Sequence, residues 1–388
     1  MISANKFKKN INKNYWFEFF IGLNFTQIIW MAYFAYKGLT LVEIGLAESI
    51  FHMSSLIMEI PTGAIADIYG RRNSRLLGIL IKISYLIVLI FVNSFQFAAF
   101  AMFLAALSYN LDSGADTALV YDTLVEIDEV DTFSKVQGYR EVIIQISSLI
   151  GVFLGGILAD YNYTLAILSA IFMFVIAFIV GCTLIEPVSK TKTEKISLSN
   201  HLVLSYKEII KKPKLILIMI FGAIILTSLI TAHYYISLYW INQGFSLSII
   251  SIWFMIQSGG SILGGILVSR LIKSNHSQWI KLISMLVAVC LWLIIHPNLG
   301  LIALFLLGFM DSLLYVTLMH IVNDSINSEQ RATLLSVNSM FFSFVMIVIF
   351  PLFGYIGDLT SLSYAFNALA MFTTIIAFVL TFINLKQI

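Results

Sequence analysis

Long apolar runs alternate with short polar connections along the whole chain. A helix needs about 20 mostly apolar residues to cross a bilayer, and the chain offers twelve runs near this length. The predicted spans cover residues 15–36, 40–64, 74–94, 96–126, 134–159, 163–185, 214–241, 245–271, 278–296, 299–325, 331–357 and 361–385. Several connections carry turn residues, for example Lys37-Gly38 and His296-Pro297-Asn298. The pattern predicts an all-α membrane protein with twelve transmembrane helices.

The composition agrees with this pattern and excludes several other classes of protein. Of the 388 residues, 59% are hydrophobic and 11% are charged, whereas roughly 25% of a soluble domain is charged. A disordered chain, a secreted disulfide scaffold and a nucleic-acid-binding protein are excluded. Cys182 and Cys290 lie in apolar runs without metal-ligand spacing. We therefore expect a lipid bilayer around the chain, and neither a metal nor a nucleic-acid partner.

The placement of Lys and Arg predicts the orientation. Basic residues concentrate before the first span and in the even-numbered connections, and Lys37 is the only one in an odd-numbered connection. Cytoplasmic loops of membrane proteins carry an excess of Lys and Arg. Both termini and all even-numbered connections are therefore predicted to be cytoplasmic.

The longest connection divides the predicted helices six from six. The expected units are an N-terminal bundle of residues 1–185, a linker of residues 186–213 with a short interfacial helix, and a C-terminal bundle of residues 214–388. The segment Leu154–Asp160 resembles Leu352–Asp358, which indicates a faint repeat. Two parallel six-helix repeats with a site near the membrane midplane are typical of transporters.

The connection after the second span contains a spaced motif. It reads Gly63-Ala64-Ile65-Ala66-Asp67-Ile68-Tyr69-Gly70-Arg71-Arg72. We expect Gly63 to allow two helices to approach closely and Gly70 to form a tight turn with positive φ. Asp67 is placed to pair with Arg71 or to cap a helix. The alternative is that the arginines of this region only report topology.

This motif resembles the signature loop of the major facilitator superfamily, and the resemblance covers essentially the whole chain. It implies two pseudo-symmetric six-helix bundles that work by alternating access. The loop would then act as a conformational latch, joined by a carboxylate near the inner end of the fourth span. The predicted latch residues are Gly63, Asp67, Gly70, Arg71, Arg72, Asp122 and Glu126.

The chain resembles the bacterial drug-exporter-like branch of this superfamily. Its sequence departs from two motifs of that branch. Asn110 stands four residues before Gly114, where many drug–proton antiporters of the superfamily have Arg. The segment Gly151–Gly156 keeps the three glycines of the antiporter pattern Gly-Pro-x-x-Gly-Gly but lacks its Pro. Export is favoured, and uptake stays open.

Several ionisable residues fall at membrane depth, where Asp, Lys or Arg costs at least about 2.5–3.5 kcal/mol. The candidates for proton coupling or substrate binding are Asp112, Asp116, Asp311, Glu48, His52 and Glu18, the last about one turn inside the first span. Asp112 and Asp116 are expected to share a helix face and to repel when both are ionised, which favours protonation of one. The alternative is a buried structural network, for example of Asp116 or Asp122 with Lys82 or Arg140.

Aromatic and amide side chains are candidates to line a cavity. They are Asn110, Tyr109, Tyr234, Tyr235, Gln257 and Asn338, with lipid-facing packing as the alternative for the aromatic ones. No phosphate-binding loop and no catalytic constellation occur in the sequence. We therefore expect neither ATP drive within this chain, nor a cofactor, nor an enzyme.

The leading prediction is a monomeric secondary active transporter in the plasma (inner) membrane of a bacterium. It would use protons to export a small apolar or cationic compound, as multidrug transporters do. The alternative is a proton-coupled uptake symporter, or a facilitator, for a small polar nutrient or cofactor. A sensor or an intramembrane enzyme is disfavoured because the sequence offers neither a soluble domain nor a catalytic cluster.

Overall fold

The computed structural model describes residues 4–187, 212–272, 276–324 and 331–383, and these residues are almost entirely helical. The first helices are α1 Ala4–Gly22, α2 Trp30–Tyr36, α3 Leu41–Tyr69, α4 Arg71–Ile90, α5 Phe95–Asp112, α6 Ala115–Glu126, α7 Phe133–Tyr161 and α8 Tyr163–Cys182. They are followed by α9 Pro213–Asn242, α10 Leu247–Leu271, α11 His276–Leu293, α12 Gly300–Asp324, α13 Arg331–Leu359 and α14 Leu362–Phe382. A single 3-10 turn, Val130–Thr132, precedes α7 in the described part.

Ten of the described helices, α3, α4 and α7 to α14, are long and apolar enough to cross a membrane. The all-helical prediction is therefore confirmed. The count of twelve spans and the cytoplasmic termini stay predictions. The interfacial helix expected in the linker lies outside the described residues.

The first expected span is not one helix. Helix α1 begins at Ala4 and ends at Gly22, residues 23–29 are not helical, and α2 begins at Trp30. The Asn24 side chain accepts hydrogen bonds from the backbone N–H and the hydroxyl of Thr26, at 3.2 and 2.8 Å, which stabilises the turn. Glu18 was predicted one turn inside the first helix. This is wrong, because α1 begins at Ala4, about four turns before Glu18.

The fourth expected span is also divided, at Ser113 and Gly114. Gly114 has φ 79°, a conformation that other residues adopt at a steric cost. Helix α5 therefore ends at Asp112 and α6 begins at Ala115. The prediction that Asp112 and Asp116 share one helix face is wrong, because the apolar pattern continues across a break that only a glycine marks.

The chain forms two compact units. Unit 1 comprises Met1–Leu39, Leu46–Lys192 and Phe245–Ser251, and unit 2 comprises Thr40–Gly45, Thr193–Gly244 and Ile252–Ile388. Within unit 1, α4 packs against α5 and α8, and α1 packs against α7 and α8. Within unit 2, α11 packs against α12 and α14, and α9 packs against α13.

The two copies of the sequence repeat end on carboxylates that cap helices. Asp160 accepts hydrogen bonds from the backbone N–H groups of Leu247 and Ser248, at 2.7 and 2.9 Å, inside unit 1. Asp358 accepts hydrogen bonds from the N–H groups of Leu41 and Val42, at 3.0 and 2.8 Å, inside unit 2. A carboxylate at a helix N-terminus satisfies free donors and complements the helix dipole. The repeat in sequence thus corresponds to a repeated contact.

Glycines of α7 pack against residues 23–29, the non-helical stretch within the first expected span. A Cβ at Gly155 would lie 2.3 Å from the carbonyl oxygen of Phe25, and one at Gly151 would lie 2.9 Å from the nitrogen of Asn24. No side chain fits there without displacing backbone. The glycine pattern that resembles an antiporter motif therefore has a packing role within unit 1.

Gly155→Ala is expected to destabilise the protein by about 1–3 kcal/mol, because overpacking displaces neighbouring backbone. Gly63→Ala is the matched control. A Cβ at Gly63 would meet nothing within 4 Å, so the predicted close approach of two helices at Gly63 is wrong. Thermal unfolding of the purified protein in detergent measures both. An equal loss in the two variants would contradict the packing role of Gly155.

Candidate functional site

A buried arginine joins three helices of unit 1. The Arg75 side chain on α4 is 1% exposed. Its Nε donates to Asp112 Oδ1 at 2.6 Å, its Nη2 to Glu18 Oε1 at 3.0 Å and its Nη1 to Asn14 Oδ1 at 2.9 Å. The guanidinium also lies 4.4 Å from the centre of the Phe17 ring. Each nitrogen of this charged group therefore donates a hydrogen bond, as a buried cation requires.

A second arginine extends the network. Arg140 on α7 donates from Nε to Glu18 Oε1 at 2.8 Å and from Nη1 to Gln137 Oε1 at 3.2 Å. Its Nη2 forms an ion pair with Asp116. Glu18 thus bridges the two arginines. The predicted alternative, a buried network of Asp116 with Arg140, is present in the structure.

The network holds more negative than positive groups. Three carboxylates (Glu18, Asp112 and Asp116) pair with two guanidinium groups, which leaves a surplus of one negative charge when all are ionised. Asp112 has the most accessible of the three carboxylate side chains, at 35% exposed against 4% for Glu18. A surplus charge of this kind is relieved by one proton, and Asp112 is best placed to exchange it with water.

A cavity of about 320 Å³ lies beside the network in unit 1. Its charged lining residues are Arg75, Lys82, Asp112 and Asp116, and both helix breaks reach it through Asn24 and Ser113. Interrupted helices line the solute and ion sites of many transporters, because their free backbone groups face the cavity instead of lipid. Within the described part of the chain, no three metal-ligating side chains are grouped as in a metal site.

Arg75 and Lys82 are not among the site residues predicted from the sequence. A signal for them exists, because Arg75, Gly78, Ile79 and Lys82 follow the helical spacing i, i+3, i+4, i+7 and all four line the cavity. This spacing places two cations on one helix face at membrane depth. Arg75 follows Arg71 and Arg72 in a basic cluster that can also report topology, so the sequence does not set Arg75 apart.

The structure brings together only part of the predicted site in unit 1. Glu18, Asp112 and Asp116 meet in the network, and Tyr109 lines the cavity. Glu48 and His52 form a separate buried pair on α3, with 3.5 Å between Oε1 and Nε2. Asn110 exchanges hydrogen bonds of 2.7 Å with the hydroxyl and the carbonyl of Ser55. Asn110 therefore joins α5 to α3 and does not line the cavity.

The candidates of unit 2 are all buried or half-buried. Asp311 is half-buried on α12 and makes no ion pair with any residue of the described ranges. Gln257 Oε1 lies 2.7 Å from His233 Nδ1. The prediction that Tyr235 lines a cavity is wrong, since its side chain is fully buried and its hydroxyl donates to the carbonyls of Leu41 and Phe350. Tyr234 and Asn338 are half-buried.

The signature loop adopts the expected local conformation. Gly70 has φ 95°, and Arg71 pairs with Asp67 at 2.7 Å. This pair is largely exposed, so its own contribution is about 0–1 kcal/mol. Arg72 donates to the carbonyls of Cys182 and Gly181, at 2.6 and 3.3 Å, at the end of α8. The other two predicted latch residues, Asp122 and Glu126, form no ion pair with a described residue.

Glu186 is a further partner of this loop and was not predicted from the sequence. Its carboxylate accepts hydrogen bonds from the backbone N–H groups of Arg71 and Arg72, at 2.7 and 2.9 Å, and so caps α4. Partial burial raises the pKa of the Glu186 carboxyl above its usual value, and the amide hydrogen bonds oppose only part of this shift. Glu186 lies 115 residues from Arg71, so no local pattern indicates the contact.

Glu186→Ala is expected to lower the free energy of unfolding by about 0.5–2 kcal/mol, the usual cost of losing a helix cap. The matched control is Glu141→Ala, since Glu141 is exposed and bonds only Gln145 among the described contacts, at 3.1 Å. Thermal unfolding in detergent measures both variants. A loss in Glu141→Ala equal to that in Glu186→Ala would contradict the capping role.

The comparison with known families decides the affiliation of the chain. The sequence model of the family described as "Major Facilitator Superfamily" matches residues 15–299. The chain belongs to the Major Facilitator Superfamily. This confirms the resemblance carried by the signature loop. Members of this superfamily are multi-pass membrane transporters of small molecules and not enzymes.

A curated relative within the Major Facilitator Superfamily is the uncharacterized MFS-type transporter YxaM of Bacillus subtilis (strain 168). It is 26% identical over 224 residues, which are 56% of this chain. The match spans 55% of the length of YxaM, so the chain covers about half of that relative.

Solved structures with the same fold cover nearly the whole chain. The nucleoside transporter NupG is 14% identical, with a TM-score of 0.79 over 98% of both chains. A bacterial homologue of the human lysosomal transporter Spinster is 13% identical, with a TM-score of 0.76 over 97% of this chain and 96% of its own. A D-xylose–proton symporter is 11% identical, with a TM-score of 0.69 over 97% and 96%. These similarities establish the fold of the superfamily.

Proposed function

We propose that this protein is a secondary active transporter that couples the movement of a small polar solute to protons across a bacterial plasma membrane. One observation carries the proposal. A buried network with one surplus negative charge borders a cavity lined by four charged side chains, all inside unit 1. The protein is proposed to act as a monomer and to alternate access.

Asp112 is the proposed coupling residue. It lines the cavity, and it shares Arg75 with Glu18. Protonation of Asp112 removes the surplus charge and weakens its ion pair, while Glu18 and Asn14 still hold Arg75. A proton at this position therefore changes the contacts of the helix break without leaving the arginine unpaired.

The lining of the cavity favours a polar solute. Its volume of about 320 Å³ lies at the lower end of the range for ligand pockets, roughly 300–1,000 Å³. An apolar compound would bury charged groups without replacing their hydration. The printed names of two structural relatives, a nucleoside transporter and a D-xylose–proton symporter, agree with a polar cargo.

Efflux of an apolar or cationic compound stays a prediction. The antiporter-like pattern Gly151–Gly156 is its main support in the sequence. Because Gly151 and Gly155 pack against the interrupted stretch near Asn24 and Phe25, the pattern does not require antiport.

The proposed conformational latch comprises the pair Asp67–Arg71, with Asp122 and Glu126 as its predicted partners.

Proteoliposomes with an imposed pH gradient test the function. Radiolabelled nucleosides, sugars, amino acids and small carboxylates are offered on the outside, and an acidic outside drives entry. We expect accumulation of a polar solute that an uncoupler abolishes. Accumulation only of apolar or cationic drugs, or transport that ignores the gradient for every solute, would contradict the proposal.

A further inference from the structure

Lys82 is a cation at membrane depth that forms no ion pair within the network. It lies near the middle of α4, lines the cavity, and holds its Nζ 5.0 Å from the centre of the Tyr85 ring. It makes no ion pair with a carboxylate of the described residues. A lysine at such a depth is costly unless it has a partner or reaches water.

The carboxylates that line the cavity have other partners. Asp112 Oδ1 accepts from Arg75 at 2.6 Å, and Asp116 pairs with Arg140. The charge of Lys82 equals the surplus of the network in magnitude, so Lys82 and the network together are neutral when every group is ionised. The ammonium balances that surplus from the same cavity lining, two helical turns along α4 from Arg75.

We propose that Lys82 binds the carboxylate of the transported solute, so that the cargo is a small monocarboxylate. This inference rests on the proposed transport function and names its substrate class. An ammonium on a flexible stem offers three donors to an anion. The ammonium lies over the ring of Tyr85, which is 5% exposed, and this cation–π contact holds it at the cavity.

Anion binding at Lys82 also explains the proton requirement. When the solute carboxylate pairs with the ammonium, the network is left with its uncompensated negative charge. A proton from water then adds to Asp112, and solute, Lys82 and network together become neutral. Because binding couplings are reciprocal, the proton tightens anion binding by the same factor that the anion tightens proton binding. The proposed stoichiometry is one proton for one monocarboxylate, and the cycle moves no net charge.

The binding test uses matched solutes that differ in one group. The full chain in lipid nanodiscs at pH 7 receives nicotinate or nicotinamide, gluconate or gluconamide, lactate or lactamide, and inorganic phosphate. We expect at least one carboxylate to raise the unfolding temperature, and its neutral partner to leave it unchanged. Stabilisation by the neutral partners to the same extent, by phosphate alone, or by no carboxylate would overturn the inference.

Variants assign the effect to Lys82. Lys82→Met is expected to abolish the stabilisation by the carboxylate, and Lys82→Arg to retain it in part. Lys37→Met is the matched control, because Lys37 also lies over a tyrosine ring, at 5.3 Å from the centre of Tyr33, but does not line the cavity. An undiminished response in Lys82→Met, or an equal loss in Lys37→Met, would overturn the assignment. If Lys82→Met does not fold, Lys82→Gln replaces it.

Transport separates this inference from the proposed function. In proteoliposomes with the voltage clamped by valinomycin and potassium, carboxylate uptake should follow the pH gradient and ignore the voltage. If neutral solutes move with protons and Lys82→Met transports them normally, the assignment of Lys82 fails while the proposed function stands. If no solute of either panel responds to the gradient, the proposed function itself fails.

Discussion

Arg75→Met is expected to lower the free energy of unfolding by about 3–5 kcal/mol, the cost of removing one partner from a buried ion pair. Glu18, 3% exposed, would lose one of its two arginines, and Asp112 would lose its only ion-pair partner among the described residues. Thermal unfolding in detergent, with the recovery of monodisperse protein as a second measure, tests this.

Arg71→Met is the matched control for Arg75→Met. Arg71 precedes Arg75 by one helical turn, but its ion pair with Asp67 is largely exposed, with side chains 30% and 64% accessible. Its loss should cost at most about 1 kcal/mol. Arg75→Lys should recover only part of the stability, since an ammonium cannot reproduce the fork that reaches three partners. Similar stability of Arg75→Met and Arg71→Met would contradict the prediction that the buried network stabilises the fold.

Asp112→Asn is expected to uncouple transport from protons. With a gradient of one pH unit, wild type should accumulate its solute up to about tenfold per proton, because one unit corresponds to about 1.36 kcal/mol. The variant should show no accumulation, because its amide cannot take up the proton. Exchange of labelled for unlabelled solute at equal pH should persist. Labelled-solute uptake in proteoliposomes measures both processes.

Glu141→Gln is the control for Asp112→Asn. Glu141 is an exposed carboxylate next to Arg140 in sequence, and it bonds Gln145 on its own helix. It should accumulate solute as wild type does. Undiminished accumulation in Asp112→Asn, with the same pH dependence as wild type, would remove Asp112 from the coupling role.

Several features that depend on local pattern were predicted correctly from the sequence. Long apolar runs indicate helices because lipid leaves backbone groups no other partners. The turn at Gly70 and the pair Asp67–Arg71 lie within one short motif, so spacing alone predicts them. The repeat at Asp160 and Asp358 was visible as sequence and proved to be a repeated contact.

Features that depend on distant partners were not predicted. The breaks at residues 23–29 and at Gly114 lie within apolar sequence, and hydrophobicity reports burial in lipid or protein rather than continuity of the helix. Arg75 meets partners that lie 57 and 37 residues away. The charge that defines the candidate site therefore becomes apparent only when α1, α4 and α5 are packed together.

The caps at Asp160 and Asp358 have a consequence for dividing the protein. Cleavage in the linker would give two fragments, and each would contain a helix start whose capping carboxylate belongs to the other fragment. The N-terminal fragment would keep Leu41 but lose Asp358, and the C-terminal fragment would keep Leu247 but lose Asp160. Each fragment should therefore be unstable when expressed alone, and the two should complement each other when they are made in the same cell.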